Sequence, residues 1–299
     1  MAKKLGVTES DALAVLQQRN AIASDPENEA PSAPIVNGWT LVDSEDLPTK
    51  GKFYGEVWVK PFDVQTVREA SSIDPNNALA TLKGMCNILS KCCYIIDLKG
   101  NKVPGSKLKR ADALPVLMII RALTYTNDFT LPLAQSVKCS VCGKEIESIQ
   151  CDGAAVLEWP SKLDEIATIN EDGEILYDKF TFHLPTIEEV STFISVLLSD
   201  DPAYKLDETT RNDASSLLYI CKESQKVPQM HKALIQASSS MYSMDLKDIA
   251  KFRKFVQFLD RSIGTEPTID TECPHCHEMI KIPFSVGIAD ICLATVEDF

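Results

Sequence analysis

The stretch KCSVCGKE, residues 138–145, contains two cysteines with the spacing Cys-x-x-Cys. Two thiolates at this spacing can bind one side of a tetrahedral metal ion, so the stretch predicts half of a metal site. The same spacing recurs far downstream in ECPHCHEMIKIPF, residues 272–284. Each pair precedes residues with the composition of a β-strand. We therefore expect one structural Zn²⁺ bound by Cys139, Cys142, Cys273 and Cys276.

Other interpretations of these cysteines remain open at this stage. The four thiols are also compatible with another thiophilic metal or cluster, and with no metal at all. The second pair, Cys-Pro-His-Cys, is similar to the redox dithiol of strongly oxidising thioredoxin-like enzymes. Such a dithiol opens a helix, whereas Ile282 and Pro283 follow the pair here and favour a strand. His275 and His277 flank Cys276 too closely for both to join it on one ion, so neither is assigned as a ligand.

The composition and net charge of the chain limit the classes of partner that it is expected to bind. It has 299 residues, of which 44% are hydrophobic, and a formal net charge of −13. This length suits roughly two domains with an ordinary core. The negative charge repels polyanions, so DNA and anionic lipid are disfavoured and a basic protein surface is favoured. We read no secretory signal in the sequence and expect no membrane span.

Six of the ten cysteines lie outside the two pairs. Four of them fall in apolar helical patterns and are expected to pack in the core, because a free cysteine behaves as a small hydrophobic residue. These four are Cys86, Cys92, Cys93 and Cys221. We assign no role to Cys151 and Cys292.

Motifs of common catalytic sites do not occur in the sequence. There is no P-loop, nucleophile elbow, zincin motif or dinucleotide-binding motif. His183 lies in an alternating strand pattern and His231 at a predicted helix start, and both are expected to be ordinary structural residues. The acidic pair Glu188-Glu189 is explained by capping at a helix N-terminus. We therefore predict that the protein is not an enzyme.

The expected fold class is α+β, with a helical N-terminal part, a β-rich split zinc-ribbon module and a helical insertion between the two cysteine turns, or knuckles. The hydrophobic period changes from two to about 3.6 residues at the start of the insertion. The predicted units are an N-terminal helical arm (1–23), a linker (24–38), a mostly helical α+β domain (39–138), the two halves of the zinc-ribbon-like module (139–185 and 263–299) and the helical insertion (186–262).

Apolar spacing also predicts individual elements. One helix is expected over residues 76–97, with Cys93 and Ile96 on its buried face, and a more apolar helix over 107–125. Three amphipathic helices are expected in the insertion, at 186–199, 208–223 and 246–263. Short sequence motifs predict a capping box at Thr186 and Glu189, a hairpin around Asp172-Gly173 and a strand around Val57 and Val59.

Five short segments, in order, carry a resemblance to a known family: LPTKGKFY (47–54), IRALTY (120–125), CSVC (139–142), FHLPT (182–186) and CPHC (273–276). From about Trp39 onwards the chain resembles the baseplate hub proteins and hub-assembly factors of contractile-tailed bacteriophages of the T-even type. The resemblance implies a non-enzymatic role in building the tail baseplate, as a hub component or an assembly chaperone. It implies other baseplate or tail-hub proteins as partners, and a location in the virion tail after assembly in the host cytoplasm.

Two other function classes are weighed against this role. A nucleic-acid-associated zinc-ribbon protein needs a basic surface, and the clearest basic cluster, Lys107, Lys109 and Arg110, is small against a net charge of −13. A dithiol oxidoreductase is disfavoured by the strand predicted after the second pair. We expect no binding to nucleic acid or membranes.

The predicted arm has a helix at 8–23 with a thin apolar stripe formed by Ala12, Val15, Leu16 and Ile22. Its Pro-rich linker gives the helix a long reach. We expect the arm to dock in a groove of a neighbouring baseplate subunit. The alternative is that the stripe packs on the helices of its own chain.

Overall fold

The structure is a computed structural model that describes residues 35–36, 38–125, 130–132, 136–146, 150–152, 163, 168–221, 225–263, 268–283 and 287–293. The predicted arm lies outside these residues, as does most of the linker. The described chain combines helices with small antiparallel sheets, as the α+β prediction required. Within this part of the chain, no helix has both the length and the apolar composition needed to cross a bilayer.

The largest sheet has five antiparallel strands in the order of the sequence. They are β1 (Ile35–Val36), β2 (Trp39–Val42), β3 (Glu56–Val59), β4 (Cys93–Ile96) and β5 (Lys102–Pro104). Side chains alternate between the two faces of a strand, so Val57, Val59 and Ile95 point into the core and are fully or almost fully buried. On the opposite face Trp58 pairs with Tyr94, and their rings stack with centroids 6.0 Å apart.

Three helices pack around this sheet: α1 (Val64–Ser71), α2 (Ala78–Cys92) and α3 (Arg110–Thr124). The side chains of Asp63 and Asn77 cap α1 and α2 by accepting hydrogen bonds from backbone N–H groups of the first turn. Helix α3 is buried along most of its length, which agrees with the apolar helix predicted over 107–125.

The helix predicted over residues 76–97 is too long. It ends at Cys92, and Cys93 and Ile96 belong to strand β4 instead of a helical face. The run CYII is rich in β-branched and aromatic residues. Its apolar spacing fits both a helix and a strand, so spacing alone does not decide which of the two forms. Pairing with β3 on one side and β5 on the other makes it a central strand.

The LPTKGKFY segment is a loop fastened to α3. Thr49 donates from its backbone N–H to Asp112 at 3.0 Å and from its hydroxyl to the second oxygen of the same carboxylate. Gly51 has φ +65°, and a Cβ there would lie 2.4 Å from the hydroxyl oxygen of Ser44, so only glycine fits. Burial raises the pKa of Asp112 to about 7 from an ordinary 3.8, while the bonds from Thr49 act in the opposite direction.

This carboxyl should make stability depend on pH. Because the pKa of Asp112 is higher in the folded chain, it contributes stability below about pH 4 that is lost as the pH rises to about 7. Asp112→Asn keeps an acceptor for the Thr49 N–H but does not ionise, so the variant should lose less stability between about pH 4 and 7. Chemical denaturation across this range, with the exposed Asp74→Asn as control, measures the effect. Parallel profiles for wild type and Asp112→Asn would contradict it.

The IRALTY segment ends α3 and holds the short C-terminal helix α8 (Ile288–Cys292). The buried guanidinium of Arg121 donates through Nη1 to the carbonyl oxygens of Asp290 at 3.1 Å, Ile291 at 3.0 Å and Leu293. Tyr125 donates its hydroxyl to the carbonyl of Cys292. The last carbonyls of a helix have no partner within the helix, so Arg121 of α3 and Tyr125, which directly follows α3, complete α8.

The FHLPT segment directly precedes the first helix of the insertion, α4 (Ile187–Leu197), and contacts the start of α3. The capping box is present as predicted: Thr186 Oγ1 accepts from the Glu189 N–H, and Glu189 accepts from the Thr186 N–H at 2.8 Å. The carbonyl of Pro185 accepts from the Arg110 N–H at 2.9 Å. Two segments of the resemblance, LPTKGKFY and FHLPT, are thus both tied to the N-terminal end of α3.

The insertion contains four helices among its described residues, one more than predicted. They are α4, α5 (Glu208–Leu217), α6 (Val227–Tyr242) and α7 (Leu246–Ser262). Helix α6, which was predicted only as a helix start near His231, buries Met230, Leu234, Ala237 and Met241 at helical spacing, a signal that the sequence contained. Helix α5 ends at Leu217, six residues before the predicted end at 223. Helix α4 packs on both α2 and α6, so the insertion shares the core of the N-terminal part.

Four two-stranded pairs complete the described β-structure. The strands are β6 (Thr130–Pro132), β7 (Val137–Lys138), β8 (Glu145–Ile146), β9 (Gln150–Asp152), β10 (Ile175–Tyr177), β11 (Phe180–Phe182), β12 (Thr268–Glu272) and β13 (Met279–Pro283). The turn predicted at Asp172-Gly173 is present, closed by a bridge between Ile169 and Ile175. A second, unpredicted turn at Asp178 joins β10 to β11.

Candidate metal centre

Two β-hairpins present the four predicted cysteines. The first hairpin, β7–β8, carries Cys139 and Cys142 in its turn, and the second, β12–β13, carries Cys273 and Cys276. In each turn the first cysteine is buried, with an exposed fraction of 3% for Cys139 and 0% for Cys273. The second cysteine of each pair lies closer to solvent.

The two turns have the same backbone hydrogen bonds. In the first, the Cys139 N–H donates to the carbonyl of Lys144 and the Gly143 N–H donates to the carbonyl of Cys139. In the second, the Cys273 N–H donates to Glu278 and the His277 N–H donates to Cys273. The fourth residue after the first cysteine has positive φ in both turns, +72° at Gly143 and +61° at His277. Turn chemistry thus places both pairs in the same local geometry.

The four sulfur atoms converge. All four Sγ atoms lie within 4.8 Å of one another. The two closest pairs reach across the hairpins: Cys139 to Cys276 at 3.8 Å and Cys142 to Cys273 at 3.9 Å. Sulfurs at 2.3 Å from a tetrahedral Zn²⁺ are about 3.8 Å apart, so this spacing is compatible with a bound metal ion.

Backbone N–H groups point at the sulfur of the first knuckle. Val141 and Cys142 each direct an N–H at Cys139 Sγ over 3.4 Å. The Cys142 N–H is the main reason that the pKa of Cys139 falls to about 6. The Glu278 N–H favours the thiolate of Cys276, but burial and the neighbouring sulfurs raise its pKa to about 12. Four thiolates this close repel one another, so a cation is needed for all four to be charged together.

Both histidines of the second knuckle have contacts other than metal ligation. His275 Nε2 lies 3.1 Å from the carbonyl oxygen of Glu145 and therefore donates to it, which links the two hairpins. His277 Nδ1 lies 2.7 Å from Glu272 Oε1. Neither is part of the convergent group of four cysteines.

The positive φ of His277 leads to a paired prediction. The left-handed conformation costs a residue with a Cβ about 1 kcal/mol, and glycine avoids this cost. His277→Gly should therefore raise the free energy of unfolding by up to about 1 kcal/mol, even though it removes an exposed contact with Glu272. Gly143→Ala, at the equivalent position, should lower it by about 1 kcal/mol.

Denaturant unfolding of the metal-saturated protein measures both changes, because metal content is then held constant. If His277→Gly destabilises the protein by as much as Gly143→Ala does, the two turns are not equivalent and the comparison fails.

The four cysteines predicted to lie in the core are not part of this cluster. Cys92, Cys93 and Cys221 are buried and Cys86 is partly buried against the core, as predicted. Burial raises the pKa of each, to about 11 for Cys86 and about 12 for Cys221. Cys292 is also buried, in α8, and the side chain of Cys151 lies outside the described residues.

Sequence reasoning did not anticipate two buried polar groups. Glu189 is buried beside His183, whose Nε2 is 3.6 Å from its carboxylate. His183 and the capping bond from Thr186 outweigh desolvation and lower the pKa of Glu189. The burial of Arg121 was likewise not predicted, and its position in an apolar helix was the one sequence feature that pointed to it. A charged residue within an apolar period is the one sequence feature that points to such groups.

Within the described residues, the four cysteines are the one group of three or more cysteine, histidine or acidic side chains that converges closely enough to hold a metal. Compared with known protein families, with curated proteins and with solved structures, the chain gives no match.

Proposed function

We propose that this protein is a non-enzymatic part of a bacteriophage tail baseplate, a hub component or a hub-assembly chaperone, stabilised by one structural Zn²⁺. The observation that carries the metal part is the convergence of Cys139, Cys142, Cys273 and Cys276 within 4.8 Å. Four thiolates fill the coordination of a tetrahedral ion and leave no position for water or substrate. Such a closed site stabilises structure and does not take part in a reaction.

The cysteines would hold the zinc in a split zinc-ribbon arrangement. The two hairpins supply matching knuckles, and helices α4 to α7 lie between them in the sequence. The cross-hairpin pairs are 137 and 131 residues apart. A metal that closes so long a loop fixes segments whose association is otherwise entropically costly.

The baseplate role rests on the five segments of the resemblance. Their described side chains have architectural contacts, as with Thr49 on Asp112, Arg121 on α8 and the Thr186 capping box. A rigid, metal-stapled body with an acidic surface suits docking to basic protein partners in a large assembly.

Two measurements test this proposal. Metal analysis of protein never exposed to a chelator should give about one zinc per chain. Less than about half an equivalent of any thiophilic metal would contradict the proposed zinc site. For the role, mass spectrometry of purified virions and affinity purification from infected cells should recover the protein with tail-hub components. Recovery with neither virions nor hub proteins would reject the baseplate assignment.

The competing functions predict different results. A zinc-ribbon protein that binds nucleic acid should form a salt-dependent micromolar complex with DNA, whereas we expect dissociation constants of about 10⁻⁴ M or weaker. A dithiol enzyme should turn over a test disulfide, and that activity should vanish in Cys273→Ser. Either result would replace our proposal.

A further inference from the structure

Helix α7 gives an acidic chain a basic face. Its 17 residues include five basic side chains and only two acidic ones, while the whole chain has a net charge of −13. Lys247, Lys254 and Arg261 are exposed and follow one another at helical spacing. Within the described part of the chain, no ion pair includes any of these three.

An exposed leucine begins the same helix. Leu246 is 85% exposed, the largest value for any large apolar side chain among the described residues. It directly precedes Lys247, and the side chain of Asp245 caps the helix by accepting from the Asp248 N–H at 2.8 Å. The cap holds Leu246 and Lys247 in fixed positions at the end of a helix, where they form a projecting knob.

An open pocket of about 500 Å³ lies at the C-terminal end of α4. Leu197, Leu198 and Pro202 form its apolar part, and Asp200 and Asp201 form an acidic rim. Leu198 is 60% exposed, so the pocket presents apolar surface to solvent.

The pocket also contains two basic residues, and its acidic rim extends beyond them. Arg211 is held by a 3.0 Å bond to the carbonyl of Leu197, and Lys205 completes the lining. Next to them, Asp207 and Glu208 are exposed at the start of α5. Residues 200–211 thus carry four exposed acidic side chains and two exposed basic ones.

The knob and the pocket lie near opposite ends of helix α6. The turn Pro202–Tyr204 borders the pocket, and Tyr204 packs on His231 in the first part of α6 with ring centroids 5.8 Å apart. Leu246 follows the other end of α6, three residues after its C-cap Ser243. A helix of 16 residues is about 24 Å long, so the two features do not meet within one copy.

We propose that copies of this chain associate head to tail, with Leu246 and Lys247 of one copy in the Leu198–Asp200 pocket of the next. The apolar knob fits the apolar wall, and the lysines of α7 face the acidic rim. Different surfaces meet in such a contact, so it is heterologous and builds a ring or a chain of copies.

The size of the contact makes it weak. A helix face about 25 Å long and about 10 Å wide covers far less than the roughly 800 Å² per partner of a stable interface. Two copies of charge −13 also repel at long range, but salt of about 0.1 M screens this repulsion beyond about 10 Å. Self-association should therefore be visible in about 0.1 M salt at tens to hundreds of micromolar, and should weaken in about 1 M salt.

Sedimentation equilibrium of the full, metal-loaded chain tests the proposal with two matched variants. Leu246→Ser/Lys247→Glu removes the knob, and Leu198→Ser/Asp200→Lys removes the pocket. Each should weaken self-association at least tenfold while leaving metal content and unfolding temperature unchanged. Leu98→Ser/Lys83→Glu, a similar change at exposed positions elsewhere, should behave as wild type.

Mixing the two variants gives the sharpest result. The knob variant keeps an intact pocket and the pocket variant keeps an intact knob, so the mixture should form dimers and nothing larger. A wild-type chain that stays monomeric, a knob or pocket variant that associates like wild type, or a mixture that stays monomeric would each overturn the proposal. Binding of single-stranded DNA to α7 without self-association would overturn it too.

Discussion

Cys273→Ser is expected to abolish stoichiometric metal binding and to lower the unfolding temperature by about 10 °C or more. Cys273 is fully buried and its sulfur lies 3.9 Å from that of Cys142. Losing one of four ligands weakens binding by several kcal/mol, and the free energy of metal binding is part of the free energy of folding. The effect should be strongest in the hairpins β7–β8 and β12–β13, which the metal would join.

Three measurements check this result: metal content, thermal unfolding and hydrogen exchange of the hairpin amides. Cys86→Ala is the matched control, because Cys86 is a partly buried core cysteine away from the centre. It should keep a full equivalent of metal. A Cys273→Ser protein with wild-type stability and metal content would show that the four sulfurs do not form a binding site.

Arg121→Met is expected to lower the free energy of unfolding by about 3 kcal/mol or more. Arg121 is fully buried and its guanidinium satisfies three carbonyl groups at the end of α8. Methionine fills much of the same space but donates no hydrogen bond, so these carbonyls would be left without their partner. Helix α8 has five residues and depends on such contacts to stay folded.

Denaturant unfolding and hydrogen exchange in residues 287–293 measure this effect. Tyr125→Phe removes the hydrogen bond from the hydroxyl to the Cys292 carbonyl and should cost only about 1 kcal/mol. Arg68→Met, at an exposed position of α1, should change stability by less than about 0.5 kcal/mol. A loss at Arg121 no larger than the loss at Arg68 would mean that water satisfies the α8 carbonyls.

The four-cysteine cluster could be predicted because its signal is local. Cys-x-x-Cys occurs twice, and each copy forms its turn through hydrogen bonds that span no more than five residues. The Thr186–Glu189 capping box was predictable for the same reason. The pairing of one knuckle with the other was an inference from chemistry, and the 3.8 Å contact between Cys139 and Cys276 comes from the fold.

The errors occurred where local signals conflict or are weak. The segment 93–96 continues the apolar spacing of α2, yet sheet pairing makes it a strand. Helix α6 was predicted only as a helix start near His231, although its buried positions keep a helical spacing over the whole element. For segment 93–96 the contacts made with distant parts of the chain decide the outcome, whereas the helical period of α6 was present in the sequence.

The sequence by itself determined the mixed α and β character, most helices of the insertion and the four cysteines, because periodicity, capping and knuckle turns act over a few residues. Only the tertiary structure decided the five-stranded sheet, the attachment of the LPTKGKFY loop to Asp112 and the hydrogen bonds from Arg121 to the carbonyls of α8. Those last two contacts join residues 63 and 170 positions apart. Buried polar groups must find partners wherever the fold brings them, and no local pattern specifies which distant carbonyl or carboxylate that will be.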